Sequence, residues 1–193
     1  MRNSINNKLN VFTLPNLLSF IRLLTAVPLY IFLSDLETGA NRYYVLIFIF
    51  IGFLTDILDG YIARKYDKIS EFGKIIDPLA DKVAILVIIL QLYRHEYIVP
   101  LYFWTVILRD ILIFTGGIIV SQIIKKVLPS NLLGKITAFS IGLYLLLVIV
   151  GLEITLLYKI VFYISLLLCY LSLIGYAVRA YESIKWYKRN EAV

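Results

Sequence analysis

Cysteine and histidine are almost missing from this chain, with one of each in 193 residues. A lone Cys169 excludes an intrachain disulfide, and its place in an apolar run marks it as an inert packing residue. The lone His95, in the polar turn RHE, reads as a solvated loop residue. A zinc site built on thiolates and imidazoles is therefore disfavoured. Acidic residues are also scarce, 13 against 19 basic, for a formal charge of +6. There is no internal repeat, no low-complexity tract and no linker long enough to divide domains. Polar sequence is short throughout: 61% of residues are hydrophobic and the mean hydropathy is +0.85. A soluble domain is nearer half apolar, so the chain reads as an integral membrane protein with no sizeable domain outside the bilayer. The basic residues flank apolar runs. That places their partners among anionic lipid head groups and makes nucleic acid an unsuitable one.

The expected fold class is all-α, with six transmembrane helices preceded by a short interfacial helix. A hydrocarbon core takes about 20 helical residues to cross, and six segments reach that length: 14–33, 42–64, 74–94, 97–122, 132–152 and 154–181. Pro15 and Pro100 suit first helical turns, and Pro28 is expected to kink the first span. The opening MRNSINNKLNVF is too polar for a cleaved signal, so the first apolar segment is expected to stay. Residues 1–13 are expected to lie on the membrane surface and 14–193 to form one six-helix domain. Arg2, Lys8, Arg64, Lys65, Lys125, Lys126 and Lys188 fall on one side, whereas the other carries only Arg42, Arg94 and Lys159. Positive loops stay inside, which places both termini in the cytoplasm and the protein in the cytoplasmic (inner) membrane. The terminal WYKRN reads as an aromatic and basic anchor at that surface.

Against this apolar background stand four carboxylates, Asp56, Asp59, Asp77 and Asp81, in the runs ILDGYIAR and IIDPLADKVAILVIIL. Ionised carboxylates are expensive to bury unless cations pair with them. Spacings of three and four put each pair on one helix face. The short basic connection from Arg64 to Lys74 makes the two helices antiparallel neighbours, so their acidic faces can meet. At about 1.5 Å per residue, the cluster is expected within about two turns of the cytoplasmic surface. Oxygen donors without His or Cys favour Mg2+ or Mn2+, and two such ions suit chemistry on a diphosphate. Gly60, Ala63 and Gly73 leave room for a ligand, and Arg64 has a fork that matches phosphate oxygens. The structural alternative pairs the acids with Arg64, Lys74 and Lys82, but charges inside membranes are mostly functional.

Read with its small residues, the pattern is Asp56-x2-Asp59-Gly60-x2-Ala63-Arg64-x8-Gly73-x3-Asp77-x3-Asp81. It matches at every fixed position the signature of the CDP-alcohol phosphatidyltransferases, which the chain also resembles in TLPNLLSFIR near its N-terminus. The resemblance implies transfer of a phosphatidyl group from CDP-diacylglycerol to an alcohol, with release of CMP. It further implies that Asp56, Asp59 and Asp77 hold one metal ion and Asp56, Asp77 and Asp81 a second. Asp81 would also be the catalytic base. Gly60, Ala63, Arg64, Ser70 and Gly73 would line the CDP-lipid site, and a homodimer is implied too.

Asn16, Ser19 and Arg22 recur at three-residue steps and form a polar stripe that could reach the nucleotide; the plainer reading is an arginine reaching for the interface. Arg109, Lys135 and Arg179 are candidates to bind an acceptor carrying phosphate, the alternatives being an Arg109–Asp110 structural pair and topology anchors. Arg109 falls deeper than the acidic motif, which a break near Gly116-Gly117 or helix tilt would reconcile. The opening resembles the branch that uses sn-glycerol 3-phosphate. The Arg109-Asp110 and Gly134-Lys135 pairs resemble that branch and also the cardiolipin synthases, whose acceptor is phosphatidylglycerol. Inositol phosphate is a further alternative. From other classes, a cation transporter would show paired halves and midplane sites, and a scaffold would not need the Asp spacing. The fifteen Tyr and eleven Phe are expected mostly at lipid or interface.

Overall fold

A computed structural model describes residues 14–66, 73–125 and 131–191, with the side chains of 14–16, 59–66, 73–81 and 190–191 excepted. Among the described residues there is no strand. The helices are α1 (Leu14–Leu33), α2 (Gly39–Tyr66), α3 (Gly73–Arg94), α4 (Pro100–Ile124), α5 (Leu132–Val150) and α6 (Leu156–Glu191). Gly39–Leu58 of α2, all of α4 and α5, and Leu156–Arg189 of α6 are long and apolar enough to cross a membrane. A shorter apolar stretch, Leu17–Leu33, lies in α1. Phe50, Phe53, Phe114 and Phe139 are exposed, an arrangement suited to lipid and not to water. The protein is an integral membrane protein. The expected interfacial segment 1–13 lies outside the described residues.

The chain divides into two compact units, Met1–Tyr97 and Ile98–Val193. In the first, α1 packs against both α2 and α3. Lipid tails are as apolar as leucine, so association of membrane helices rests on close packing and polar contacts. Both are present. Phe32 lies 5.0 Å from Tyr44 and 5.9 Å from Phe48, ring centre to ring centre, across α1 and α2. Gln91 of α3, fully buried, donates to the Tyr30 carbonyl at 2.7 Å and to Ser34 Oγ at 2.8 Å. It thereby serves one of the carbonyls that the end of α1 leaves without a helical partner. Pro28 lies inside α1, which continues through Leu33.

The α1–α2 loop is tied by Asp35. Its carboxylate accepts from the Thr38 amide at 3.3 Å and the Thr38 hydroxyl at 2.6 Å, and Asn41 donates to its carbonyl at 2.7 Å. The Thr38 hydroxyl, followed by the Thr38 amide, holds the Asp35 carboxyl below the usual carboxylate range. This turn starts α2 at Gly39, earlier than the apolar pattern suggests. At the end of α3, Tyr97 N–H bonds the Leu92 carbonyl and Glu96 N–H the Tyr93 carbonyl, with Glu96 in the left-handed region at φ 60°. That terminator delays α4 to Pro100, which takes its first turn. His95 is exposed in this turn, as expected.

In the second unit, α4 and α5 each pack against α6. Tyr102 of α4 and Tyr144 of α5 are fully buried with ring centres 4.2 Å apart, and Phe162 of α6 lies 5.6 and 5.5 Å from them. They are exceptions to an aromatic set otherwise mostly exposed. Tyr102 shares a hydrogen bond with Ser165 at 2.7 Å, and Tyr144 shares one with Tyr158 at 2.9 Å. Ser165, Cys169 and Ser172 are all fully buried at helical spacing, a face of small residues that lets neighbouring backbones approach. Cys169 is thus a packing residue. Gly151 ends α5 at φ 86°, where a side chain would be strained, with its N–H and that of Leu152 on the Leu147 carbonyl. The helix therefore stops at Val150, two residues short of the apolar run. Conversely, α6 continues past Arg179 to Glu191, so WYKR is part of a 36-residue helix.

Candidate active site

The acidic motif sits where α2 ends and α3 begins. Asp56, Asp59, Gly60, Ala63 and Arg64 fall within α2, and Gly73, Asp77 and Asp81 within α3. Of these side chains only that of Asp56 is described. Ser70, the 67–72 connection and the convergence of the four acids lie outside the described residues. Among the described residues no cluster of three or more acidic, His or Cys side chains occurs.

What is described links the motif to α1, the helix packed against both acid-bearing helices. Ser19 is fully buried and Arg22 only 3% exposed, so this part of the stripe faces the helices. The Asn16 side chain lies outside the described set. Arg22 Nη1 lies 3.1 Å from Asp56 Oδ1, and the Asp56 side chain is 53% exposed. The ion pair is therefore lopsided, with a fixed cation and an open carboxylate. Thr25 and Thr55, also buried, return their hydroxyls to their own helices, Thr25 to the Arg22 carbonyl at 2.6 Å and Thr55 to Gly52 at 2.8 Å. Sequence reasoning found the stripe and read Arg22 as reaching either the nucleotide or the interface, with Arg64, Lys74 and Lys82 as the alternative structural partners of the acids; it did not foresee the Asp56 partner. The signal for the pair was there: Arg22 is the one cation in the apolar part of α1, and α2 offers Gly52 one turn before Asp56.

The candidate acceptor residues belong to the second unit. Arg109 is 7% exposed; its Nη1 binds Asp110 Oδ1, and its Nε donates to Ser172 Oγ at 3.1 Å. Tyr102 and Arg109 are seven apart on α4, as their partners Ser165 and Ser172 are on α6, so the two helices run parallel in matched register. Lys135 is exposed in the first turn of α5, which Asn131 caps by accepting from the Gly134 amide at 2.7 Å. Arg179 is half-buried on α6. Helix α4 is unbroken across Gly116-Gly117, so the break that would reconcile the depth of Arg109 does not occur. Those glycines instead line an apolar cavity of about 860 Å³ between α4 and α6, with Phe114, Ile118, Ile174 and Ala177.

Comparison with known proteins gives this arrangement a context. Residues 12–171 match the family model described as CDP-alcohol phosphatidyltransferase. The chain is 42% identical over 124 residues to a cardiolipin synthase (CMP-forming)/mitochondrial hydrolase fusion protein of Schizosaccharomyces pombe, covering 63% of this chain but only 19% of that protein. It is 36% identical over 135 residues to a CDP-diacylglycerol–glycerol-3-phosphate 3-phosphatidyltransferase of Aquifex aeolicus, covering 68% of this chain and 72% of the relative. A protein of the same name from Mycoplasma pneumoniae is 36% identical over 139 residues, with 63% of this chain and 61% of the relative covered.

Proposed function

The chain belongs to the CDP-alcohol phosphatidyltransferase family, and on that premise we propose that it transfers a phosphatidyl group from CDP-diacylglycerol to sn-glycerol 3-phosphate. The products are CMP and phosphatidylglycerophosphate. The observation that carries the acceptor is the run of relatives at 29–36% identity whose names specify glycerol 3-phosphate.

The acceptor hydroxyl attacks the β-phosphorus of the CDP-lipid. A bond forms from that oxygen to phosphorus, and the bond to the bridging oxygen breaks, leaving that oxygen on CMP. Asp81 accepts the hydroxyl proton and later passes it to solvent. Asp56, Asp59 and Asp77 would hold one divalent ion and Asp56, Asp77 and Asp81 a second; an all-oxygen donor set fits Mg2+ or Mn2+. The half-exposed Asp56 carboxylate suits that role. Such ions supply positive charge against the pyrophosphate and departing CMP. Arg64 binds phosphate, while Gly60, Ala63, Ser70 and Gly73 leave space for and contact the CDP-lipid, with Asn16 and Ser19 lining its approach. Arg109, Lys135 and Arg179 bind the acceptor phosphate. Six helices cross the cytoplasmic membrane with both termini inside, as the basic loops favour, and the enzyme works as a homodimer.

A second reading, with phosphatidylglycerol as acceptor and cardiolipin as product, is favoured by the 42% identity to the fusion protein. Purified protein in detergent, given CDP-diacylglycerol, Mg2+ or Mn2+ and each acceptor in turn, separates the two. CMP release is expected with glycerol 3-phosphate; release with phosphatidylglycerol alone would replace the first reading by the second.

A further inference from the structure

We infer that Arg22 is a positioning residue for the acidic motif, one that fixes the Asp56 carboxylate and so sets the affinity of the site for a divalent cation. The inference rests on the reading above in which Asp56 is a metal ligand. It departs from that reading in giving Arg22 a carboxylate partner instead of the nucleotide.

The asymmetry of the ion pair is the starting point. Arg22 is 3% exposed and Asp56 53%, at 3.1 Å. A buried guanidinium inside a membrane protein cannot leave its counter-charge without a large desolvation cost. Its surroundings also hold it. Its carbonyl accepts from Thr25 at 2.6 Å, the fully buried Ser19 lies one turn before it, and its stem runs past Gly52, four residues before Asp56. The carboxylate is the exposed member. An unanchored, half-exposed Asp56 would turn toward water. Arg22 Nη1 engages Oδ1 while about half of the Asp56 side chain stays exposed, the arrangement of an outer-shell partner that orients a ligand. Helix α1 packs against both acid-bearing helices, so this ion pair ties the acidic motif to the packing of the unit.

The test is Mn2+ binding, followed by electron paramagnetic resonance on the full chain in detergent without lipid substrate. Wild type, Arg22→Lys, Arg22→Gln, Asp56→Asn and the Arg22→Gln/Asp56→Asn double variant are compared, each after gel filtration. Losing an outer-shell partner weakens metal binding roughly 10- to 100-fold, the loss expected for Arg22→Gln. Arg22→Lys keeps charge and loses the fork, for a several-fold loss, and it decides the matter should Arg22→Gln not fold. The double variant is expected to bind no more weakly than Asp56→Asn alone, because Arg22 acts through that carboxylate. Unchanged or tighter binding in Arg22→Gln, or in Arg22→Lys where it alone folds, overturns the inference, as does a double variant whose loss is the sum of the singles. Equal binding by wild type and Asp56→Asn overturns both the inference and the metal role of Asp56, and the Asp56→Asn arm identifies that case.

Discussion

Replacing Ser172 by alanine is the sharpest test of what Arg109 does. The Ser172 hydroxyl has one proton, which goes to the Cys169 carbonyl at 2.9 Å, so its oxygen is free to accept from Arg109 Nε at 3.1 Å. Alanine removes that acceptor from a fully buried position and leaves a cationic donor facing a methyl group. Hydrogen bonds to charged groups contribute about 1.5–3 kcal/mol in soluble proteins. Between membrane helices the measured average is nearer 0.6 and the maximum about 1.7, because the unfolded state in lipid also finds partners. Arg109 is charged and 7% exposed, which places the bond at the upper end of the membrane range, about 1.5 kcal/mol. Reversible unfolding in mixed micelles should show that loss. If Arg109 holds the acceptor phosphate, its looser placement should also raise the KM for glycerol 3-phosphate while leaving the CDP-diacylglycerol KM unchanged. A Ser172→Ala protein with wild-type stability and wild-type KM would refute both the energetic argument and the acceptor role.

Other expectations can be checked separately. Asp81→Asn should abolish CMP release while leaving CDP-lipid binding largely intact; near-normal turnover would remove Asp81 from the base role. Gly151→Ala places a side chain at φ 86° and should cost about 1–2 kcal/mol in the same unfolding measurement; no change would mean that the end of α5 relaxes freely. The lowered pKa of Asp35 stabilises the α1–α2 turn fully above the ordinary aspartate pKa, and the contribution is lost as pH falls through the lowered value. A carbon-13 titration of the Asp35 carboxyl should therefore move upward in Thr38→Ala, and an unmoved midpoint would mean that Thr38 is not the cause.

The parts of the fold readable from sequence were those written in apolar length and proline. The span of α1 and the start of α4 at Pro100 follow directly. The end of α5 does not, because Gly151 terminates it inside a run that remains apolar through Leu152. The far end of α6 was missed for the opposite reason. Hydropathy falls after Arg179, but ESIKWYKR contains good helix formers, and a helix outside lipid needs no apolar face all round. At the site, the acidic pattern was legible because spacing alone puts Asp56 and Asp59 on one face. The pairing of Arg22 with Asp56 was not, since it depends on how α1 is rotated against α2. The Tyr102–Ser165 and Arg109–Ser172 matches likewise require the register of two helices separated by a third.

The length of α6 has a mechanical consequence. Thirty-six residues make a rod of about 54 Å, against about 30 Å of hydrocarbon. An upright rod would reach roughly 24 Å beyond the hydrocarbon, and its end carries Lys185, Trp186, Lys188 and Arg189, side chains suited to head groups. The same unbroken rod carries Ser172, so the residue that receives the Arg109 guanidinium and the basic, aromatic end belong to one helix.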